Sequence, residues 1–431
     1  MRAPLPSFGL TLSDLISLKA RGTVRSEKDI NCIFLFLVGG PSQIDTWDLK
    51  PDAPAEIRGP YKPIPTNVSG IRISELFPRM AKQADKYALV RSFHHQINAH
   101  PLAHHVVLTG RPFSPGISHP NMGCAAQSLI GSRSDLPSHI MLPVALRSRM
   151  GQSAGFLGKT NDPFLIDSDP STPDFRVRDL VPPEYISATR VQRADNFRKP
   201  VDSSFQRFEQ GNPDTKLMSS SFSQAYRIVS SSEAREAFDI HQEPEKLRDR
   251  YGRNRFGQSC LLARRLVERS VRFVTINMFD DFGGASTWDI HGSSPFSPIS
   301  ALDSLGPMFD NGFTSLIEDL SNRGLLDQTL VVAMGEFGRT PKINPAGGRD
   351  HWPFCATILF AGGGVVGGQV VESSDQTAAE PRDRPVGPQE VLATIYQALG
   401  INLHTELLGP QNRPVPIVDI GVEPISELFG G

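Results

Sequence analysis

The sequence predicts an α/β fold built on a doubly wound, mainly parallel sheet that is flanked by helices. Its apolar runs lack polar alternation, which indicates strands buried on both faces, as in a parallel sheet covered by helices. Helical segments lie between these runs, and strands that alternate with helices along a chain are typical of doubly wound sheets. The predicted strands are residues 32–38, 87–92, 271–276, 329–334 and 356–361.

Helices are predicted between and after these strands. Ser42 and Asp45 form a capping-box pattern that predicts a short helix after the first strand. Leu76, Met80 and Ala84 would share one side of a helix over residues 75–85. The remaining predicted helices begin at Pro101 or cover residues 232–238, 261–269, 313–323 and 388–399.

We expect a single domain over residues 30–431. Residues 145–255 are rich in Arg, Ser, Asp and Pro and lack sustained apolar periodicity, so they are predicted to be a loop-rich insertion that packs over the sheet. Residues 1–29 form an N-terminal segment that fits either an amphipathic segment or the remnant of an export signal. The chain contains no run of the roughly 18 apolar residues that a membrane span needs.

The composition excludes several classes of protein. A chain of 431 residues with 39% hydrophobic and 21% charged residues is typical of a globular protein rather than a disordered or membrane-embedded one. Its net charge of −2 provides no overall field that would attract nucleic acid or anionic lipid, so neither is an expected partner. The four cysteines form no CxxC pair, which argues against a zinc knuckle.

Polar residues follow the predicted strands, where doubly wound sheets bind their ligands. Independent loops that deliver Asp, Glu, His and Arg side chains to one edge of a sheet predict a functional site there. The densest group is a histidine cluster within residues 94–105, which follows the second strand. The candidate site residues, in chain order, are Asp45, His100, Asp289, His291, Glu336, Arg339 and His351.

Most of these candidates are potential metal ligands. Asp289 and His291, with His351 and Glu336, would provide imidazoles and carboxylates for a divalent ion such as zinc, manganese or iron, with calcium as a further candidate. Asp45 is a fifth candidate ligand, although the capping box explains it equally well. The alternative for Asp289 is that it caps a turn, and the alternative for His291 is that it forms a hydrogen bond within its loop.

His100 and Arg339 are the candidate catalytic residues. A helix that begins at Pro101 would direct its N-terminus, and His100 with it, at a bound phosphate or sulfate group. Arg339 could hold a tetrahedral oxyanion, and a surface salt bridge is the alternative. His94 and His95 are instead predicted to shape their loop.

Four groups of sequence strings occur in a characteristic order between about residues 30 and 425. They are FLVGGPSQIDTWDLKPDAPAEIRGPYKPI, ALVRSFHHQINAHPLAHHVVLTGRP, RLVERSVRFVTI with WDIHG, and VVAMGEFGRTPKIN with GRDHW. Together they resemble the bacterial family catalogued as domain of unknown function 1501, within the alkaline-phosphatase and sulfatase superfamily. The resemblance implies metal-assisted transfer of phosphoryl or sulfuryl groups to a hydroxyl or thiol nucleophile at a helix N-terminus.

The chain departs from the superfamily pattern at three positions. His100 stands nine residues before Thr109, where the superfamily has its nucleophile, so it could be a phosphoryl acceptor, a metal ligand or a general base. Gly39-Gly40 replaces the usual carboxylate after the first strand, and Glu336-Phe337-Gly338 replaces the usual Asp-His-Gly. The resemblance therefore implies an incomplete two-metal centre and leaves a one-metal centre at Asp289, His291 and His351.

The expected function is a metal-dependent hydrolase of phosphate or sulfate esters, either small molecules or polysaccharides. The alternative is a catalytically degenerate member of the same fold that acts as a binding or interaction protein in the envelope. Members of the family usually begin with a twin-arginine export signal, which implies a periplasmic or secreted protein. No Arg-Arg pair precedes the string SFGLTLSDLISLKARG, and the sequence leaves the oligomeric state open.

Overall fold

The structure is a computed structural model that describes residues 29–177, 231–278, 287–293 and 296–431. Within these ranges, no helix combines the length and the apolar character needed to cross a membrane. The predicted N-terminal segment lies outside the described residues except for Asp29, and so do residues 178–230 of the predicted insertion.

An eight-stranded sheet forms the centre of the fold. The strands are β1 (Asn31–Leu37), β2 (Pro63–Pro65), β3 (Arg72–Ser74), β4 (Tyr87–Phe93), β5 (His139–Leu142), β6 (Phe164–Leu165), β7 (Phe273–Met278), β8 (Thr329–Met334), β9 (Gly338–Arg339), β10 (His351–Trp352), β11 (Ala356–Ala361), β12 (Gln369–Val371), β13 (Glu406–Leu408) and β14 (Pro414–Pro416). The order of strands in the large sheet is β12-β4-β11-β8-β1-β7-β5-β6. The remaining strands pair in three small two-stranded sheets.

Strand direction explains how residues far apart in sequence reach one edge. Strand β11 pairs antiparallel with both β4 and β8, and the other pairings in this sheet are parallel. Strands β1, β4, β7 and β8 therefore end at the same edge, and β11 begins there. The prediction of a mainly parallel sheet is confirmed.

Both faces of the sheet are buried, as the apolar runs indicate. Along β1, Ile33, Leu35 and Leu37 point into one hydrophobic core, and Phe34 and Phe36 point into the other. All five side chains are fully buried. Because burial of one such side chain contributes about 1.5–3 kcal/mol, this alternation anchors β1 between two helical layers.

Helices cover the two cores. The α-helices are α1 (Ala55–Arg58), α2 (His100–Thr109), α3 (Met122–Ile130), α4 (Ser232–Phe238), α5 (Glu245–Tyr251), α6 (Arg255–Glu268), α7 (Leu302–Asn322) and α8 (Pro388–Ala398). Helices α6 and α7 bury side chains in the first core, and α2, α3 and α8 bury theirs in the second. This layering completes the doubly wound arrangement.

Two predicted helices are absent. The region predicted as a helix over residues 75–85 contains only short 3₁₀ turns, at Met80–Lys82 and Ala84–Lys86. Pro78 disfavours a helical backbone at the residue before it, and Asp310 on α7 binds the free amides of Arg79 and Met80 instead. The capping-box pattern after β1 forms its hydrogen bonds within a series of turns rather than at a helix.

The described part of the predicted insertion shares the core of the main sheet. Ala234, Ala237 and Phe238 of helix α4 belong to the same hydrophobic cluster as the buried face of α6. Helix α4 matches its predicted bounds, whereas α7 begins eleven residues before the predicted start at residue 313. The boundary of the insertion itself stays a prediction.

Candidate metal centre

Asp289, His291 and His351 meet at the carboxyl edge of the sheet. The Nε2 atoms of the two histidines are 3.0 Å apart. Asp289 Oδ1 lies 3.1 Å from Nε2 of His291 and 3.3 Å from Nε2 of His351. The first two residues lie on the loop after β7, and His351 begins β10, just before β11 enters the sheet. The convergence expected from the sequence is present.

His100 brings a fourth donor atom to this cluster. It is the first residue of α2, and its Nε2 lies 3.4 Å from Asp289 Oδ2. One ligand atom each from His100, Asp289 and His351 lies within 4.8 Å of the other two. We call Asp289 with His100, His291 and His351 the four-residue cluster.

The outer nitrogen of each imidazole in the cluster has an acceptor. The pairs are His100 Nδ1 with Glu336 Oε1 at 2.6 Å, His291 Nδ1 with Asp350 Oδ1 at 2.8 Å, and His351 Nδ1 with the Asn98 carbonyl at 2.7 Å. Carboxylates and carbonyls only accept hydrogen bonds, so each Nδ1 carries the proton. In the neutral imidazoles, all three Nε2 atoms therefore present lone pairs to the Asp289 carboxylate.

The Nε2 lone pairs and the Asp289 carboxylate are all hydrogen-bond acceptors, so a cation between them stabilises their close approach. His100 Nε2 and Asp289 Oδ2 are both buried, and neither has a hydrogen-bond partner among the described residues. Burial lowers the pKa of His100, but the Asp289 and Glu336 carboxylates outweigh it and raise the pKa to about 9. A proton thus takes the place of the cation on His100, and a metal ion would replace it. The donor set fits a divalent metal.

Arg339 supports the central carboxylate. Burial opposes the charged form of Asp289, yet the close contacts with His100, His291 and His351 and the charge of Arg339 keep its pKa well below the usual range. The guanidinium Nη2 donates to Asp289 Oδ1 at 2.6 Å. Its other hydrogen bonds are to the carbonyls of Gly39, Gly40 and Arg349. Arg339 is fully buried and holds Asp289 in position, and its expected role at an oxyanion stays a prediction.

Glu336 forms a second group with His100 and His104, but hydrogen bonds already satisfy this group. The carboxylate accepts from the Gly39 amide at 2.9 Å and from both histidines, at 2.6 and 3.2 Å. His104 Nδ1 meets the Ser148 hydroxyl at 3.1 Å. Glu336, predicted as a ligand, therefore lies one step outside the cluster, where it orients His100.

Asp45 does not join the four-residue cluster. Its carboxylate receives Arg349 Nε at 2.7 Å and Nη2 at 3.1 Å, and the Ser42 hydroxyl at 2.6 Å. These donors occupy both oxygens, so the structure gives Asp45 a buried ion pair in place of the predicted role as a ligand.

The Gly39-Gly40 pair permits the close approach of these loops. A Cβ atom on Gly39 would lie 2.7 Å from the amide of Asp289, and one on Gly40 would lie 2.7 Å from the Phe337 ring. Both glycines also have positive φ, at 108° and 77°. A side chain at either position would therefore push β1 away from the cluster.

Sequence reasoning missed most of the outer acceptors. Asn98 contributes a backbone carbonyl, so its side-chain identity carries no signal. Asp350 precedes His351 directly, and that adjacency was the available clue. The prediction for His95 agrees with its contacts: Nε2 donates to the Glu336 carbonyl at 2.5 Å, and Nδ1 accepts from the Ile97 amide at 3.0 Å.

Comparison with known families covers almost the whole chain. The family model described as "Protein of unknown function (DUF1501)" matches residues 29–429. The chain belongs to this family. The match includes every strand of the sheet and every residue of the four-residue cluster. None of the curated proteins matches this DUF1501 protein.

Several solved structures are similar to the DUF1501 protein at low identity. A sulfatase from Pseudoalteromonas sp. is 13% identical, with 90% of this chain and 72% of that chain covered and a TM-score of 0.40. The phosphonate monoester hydrolase from Silicibacter pomeroyi is 10% identical, with coverage of 94% and 77% and a TM-score of 0.42. A lipoteichoic acid synthase from Listeria monocytogenes is 9% identical, with coverage of 94% and 80% and a TM-score of 0.40.

Proposed function

We propose that this DUF1501 protein is a metal-dependent hydrolase of phosphate or sulfate esters. The ion would be held by Asp289, His291, His351 and His100. One observation carries the proposal: three imidazoles place Nδ1 against outer acceptors and converge through Nε2 on one carboxylate. Outer acceptors of this kind are the usual companions of metal-bound histidines.

The chemistry divides between the ion and the protein. A bound divalent ion would polarise the ester and lower the pKa of water to give a nucleophile near neutral pH. Helix α2 begins at His100, so the positive end of its dipole lies beside the cluster and favours an anionic group there. The resemblance of the sequence to the alkaline-phosphatase and sulfatase superfamily supports phosphate or sulfate esters as that group.

His100 is better supported as a ligand than as a nucleophile. Its Nδ1 is hydrogen-bonded to Glu336, and its Nε2 faces Asp289 inside the cluster. A nucleophilic imidazole needs a nitrogen lone pair that is directed at substrate. We therefore assign the ring to binding the ion, and its outer nitrogen to holding the ring in place.

The rival function is a noncatalytic binding protein of the envelope in which the ion is structural. Four protein donors could saturate a tetrahedral ion, as in structural zinc sites, and this observation favours the rival. The fully buried Arg339 favours it as well, because its guanidinium has no surface exposed to a substrate.

The test begins with protein purified without chelator, whose metal content is measured before any assay. Hydrolysis of aryl phosphate and aryl sulfate esters is then followed with several divalent metals. His351→Ala and His100→Ala should each lower turnover by at least about 100-fold, since each removes a donor. His404→Ala, an exposed histidine, is the matched control and should leave turnover unchanged. Metal-loaded protein that hydrolyses neither ester would favour the binding protein.

A further inference from the structure

The four-residue cluster has more donors than a four-coordinate catalytic ion can use. We propose that its ion is five- or six-coordinate, of the iron(II) or manganese(II) type, with at least one position left for water or substrate. This inference rests on the proposed metal centre and specifies which class of ion that centre takes.

The number of donors is the first argument. Catalytic zinc sites have three protein ligands and keep the fourth position for water or substrate. Here Asp289, His291 and His351 already provide three donors, and His100 Nε2 adds a fourth beside the second oxygen of the same carboxylate. A tetrahedral ion would therefore be saturated by the protein, whereas an ion with more ligands keeps open positions.

The spacing of the donors is the second argument. For bonds of about 2.1 Å, two donors lie about 3.0 Å apart at a right angle and about 3.4 Å apart at the tetrahedral angle. The Nε2 atoms of His291 and His351 are 3.0 Å apart, and Asp289 Oδ1 lies 3.1 Å from the first and 3.3 Å from the second. The two shortest distances match the right angle, whereas the 3.4 Å between His100 Nε2 and Asp289 Oδ2 matches the wider angle. Two histidines and one carboxylate on one face of an ion are the donor set of non-haem iron(II).

The chemistry of the donors narrows the choice further. Three of the four side chains bind through nitrogen, whereas calcium and magnesium take oxygen ligands. The carboxylate contributes the hard oxygen that manganese(II) and iron(II) accept together with imidazole. The arrangement therefore favours a transition metal of variable coordination number over an alkaline-earth ion.

Ring packing opposes the release of His100 or His351 from the site. The His351 ring lies against Phe337, with ring centroids 4.5 Å apart, and against His100 at 4.2 Å. Phe337 also contacts His100 at 5.0 Å, and it is almost fully buried. With each outer nitrogen hydrogen-bonded as well, a rotation that removes one ring from the ion would break a hydrogen bond and open a cavity.

The test uses cobalt(II) as the probe, because cobalt adopts the coordination that a protein imposes. Chelator-treated full-length protein is titrated with cobalt(II), and the visible absorption is recorded. Weak absorption bands, which mark five- or six-coordinate cobalt, with one ion bound per chain are the expected result. The intense bands of tetrahedral cobalt would overturn the proposal, and so would the absence of binding. His404→Ala should reproduce the wild-type spectrum.

A second measurement addresses the open position directly. Manganese(II) bound to the protein should strongly enhance the relaxation of solvent water protons, because exchanging water reaches the ion. Bound manganese without enhancement would overturn the proposal. Both readouts are independent of turnover. Weak cobalt bands without ester hydrolysis would therefore reject the proposed function and leave this inference standing, and intense bands with hydrolysis would do the reverse.

Discussion

Two buried Asp–Arg pairs lie at the carboxyl edge of the sheet, and they have opposite characters. Asp45 pairs with Arg349, and Asp289 pairs with Arg339. Both aspartates follow a strand of the sheet, with exposures of 0% and 2%, and both arginines are fully buried. The pairs are even linked, since Arg339 Nη1 donates to the carbonyl of Arg349 at 3.1 Å.

The difference lies in what surrounds each carboxylate. Asp45 receives only donors, from Arg349 and Ser42, so its group is complete. Asp289 receives one donor from Arg339 and faces three imidazole nitrogens that are acceptors in their neutral form. The comparison teaches that burial and charge do not distinguish a structural aspartate from a candidate metal ligand, whereas the balance of donors and acceptors does.

The largest effect on folding is expected at the Asp45–Arg349 pair. Asp45→Asn leaves the Arg349 guanidinium buried without a countercharge, so the free energy of unfolding should fall by about 3–5 kcal/mol. Urea unfolding of chelator-treated protein measures it. Protein that still folds should bind as much metal per chain as the wild type. A loss below about 1 kcal/mol would show that the Asp45–Arg349 pair contributes no more to stability than an exposed ion pair does.

Metal binding at Asp289 should stabilise the protein. At an ion concentration of 100 times Kd, the free energy of unfolding should rise by about 2.7 kcal/mol. His351→Ala should lose most of this increment, because it removes one donor, whereas Asp45→Asn should keep it. Unfolding curves with and without manganese(II) provide the measurement. An equal increment in His351→Ala would show that the stabilising ion binds outside the four-residue cluster.

An outer acceptor should have a smaller effect on the ion. Asp350→Asn keeps an oxygen near His291 Nδ1 but removes its charge, so metal affinity should fall by about 10- to 100-fold. Competition with a coloured chelator measures this affinity. The side chain is 53% exposed, so folding should be spared. Asp327→Asn, at another exposed aspartate, is the control, and equal affinities in the two variants would remove Asp350 from the centre.

The smallest effect is expected at Ser42. Ser42→Ala removes the hydroxyl that donates to Asp45 Oδ2, but the two bonds from Arg349 remain. The free energy of unfolding should fall by about 1 kcal/mol, with metal affinity unchanged. Measuring both in one preparation sharpens the comparison, because weaker metal binding would show that the two Asp–Arg pairs are coupled through Arg339.

The sequence alone determined the framework of this protein. Unbroken apolar runs located the strands, and β8 and β11 have the predicted bounds at residues 329–334 and 356–361. The position of polar residues just beyond those runs located the candidate site, and the candidates included all four members of the cluster. These features are local, since the burial of a strand is encoded in the residues of that strand.

Only the tertiary structure decided what each polar residue does. The antiparallel direction of β11 places His351 at the edge where the parallel strands end. Hydrogen bonds between residues far apart in sequence then gave each carboxylate its partner. Glu336 is hydrogen-bonded to His100, 236 positions away, and Asp45 is hydrogen-bonded to Arg349, 304 positions away. A sequence shows which side chains can accept or donate, but the balance of donors and acceptors exists only after folding has brought them together.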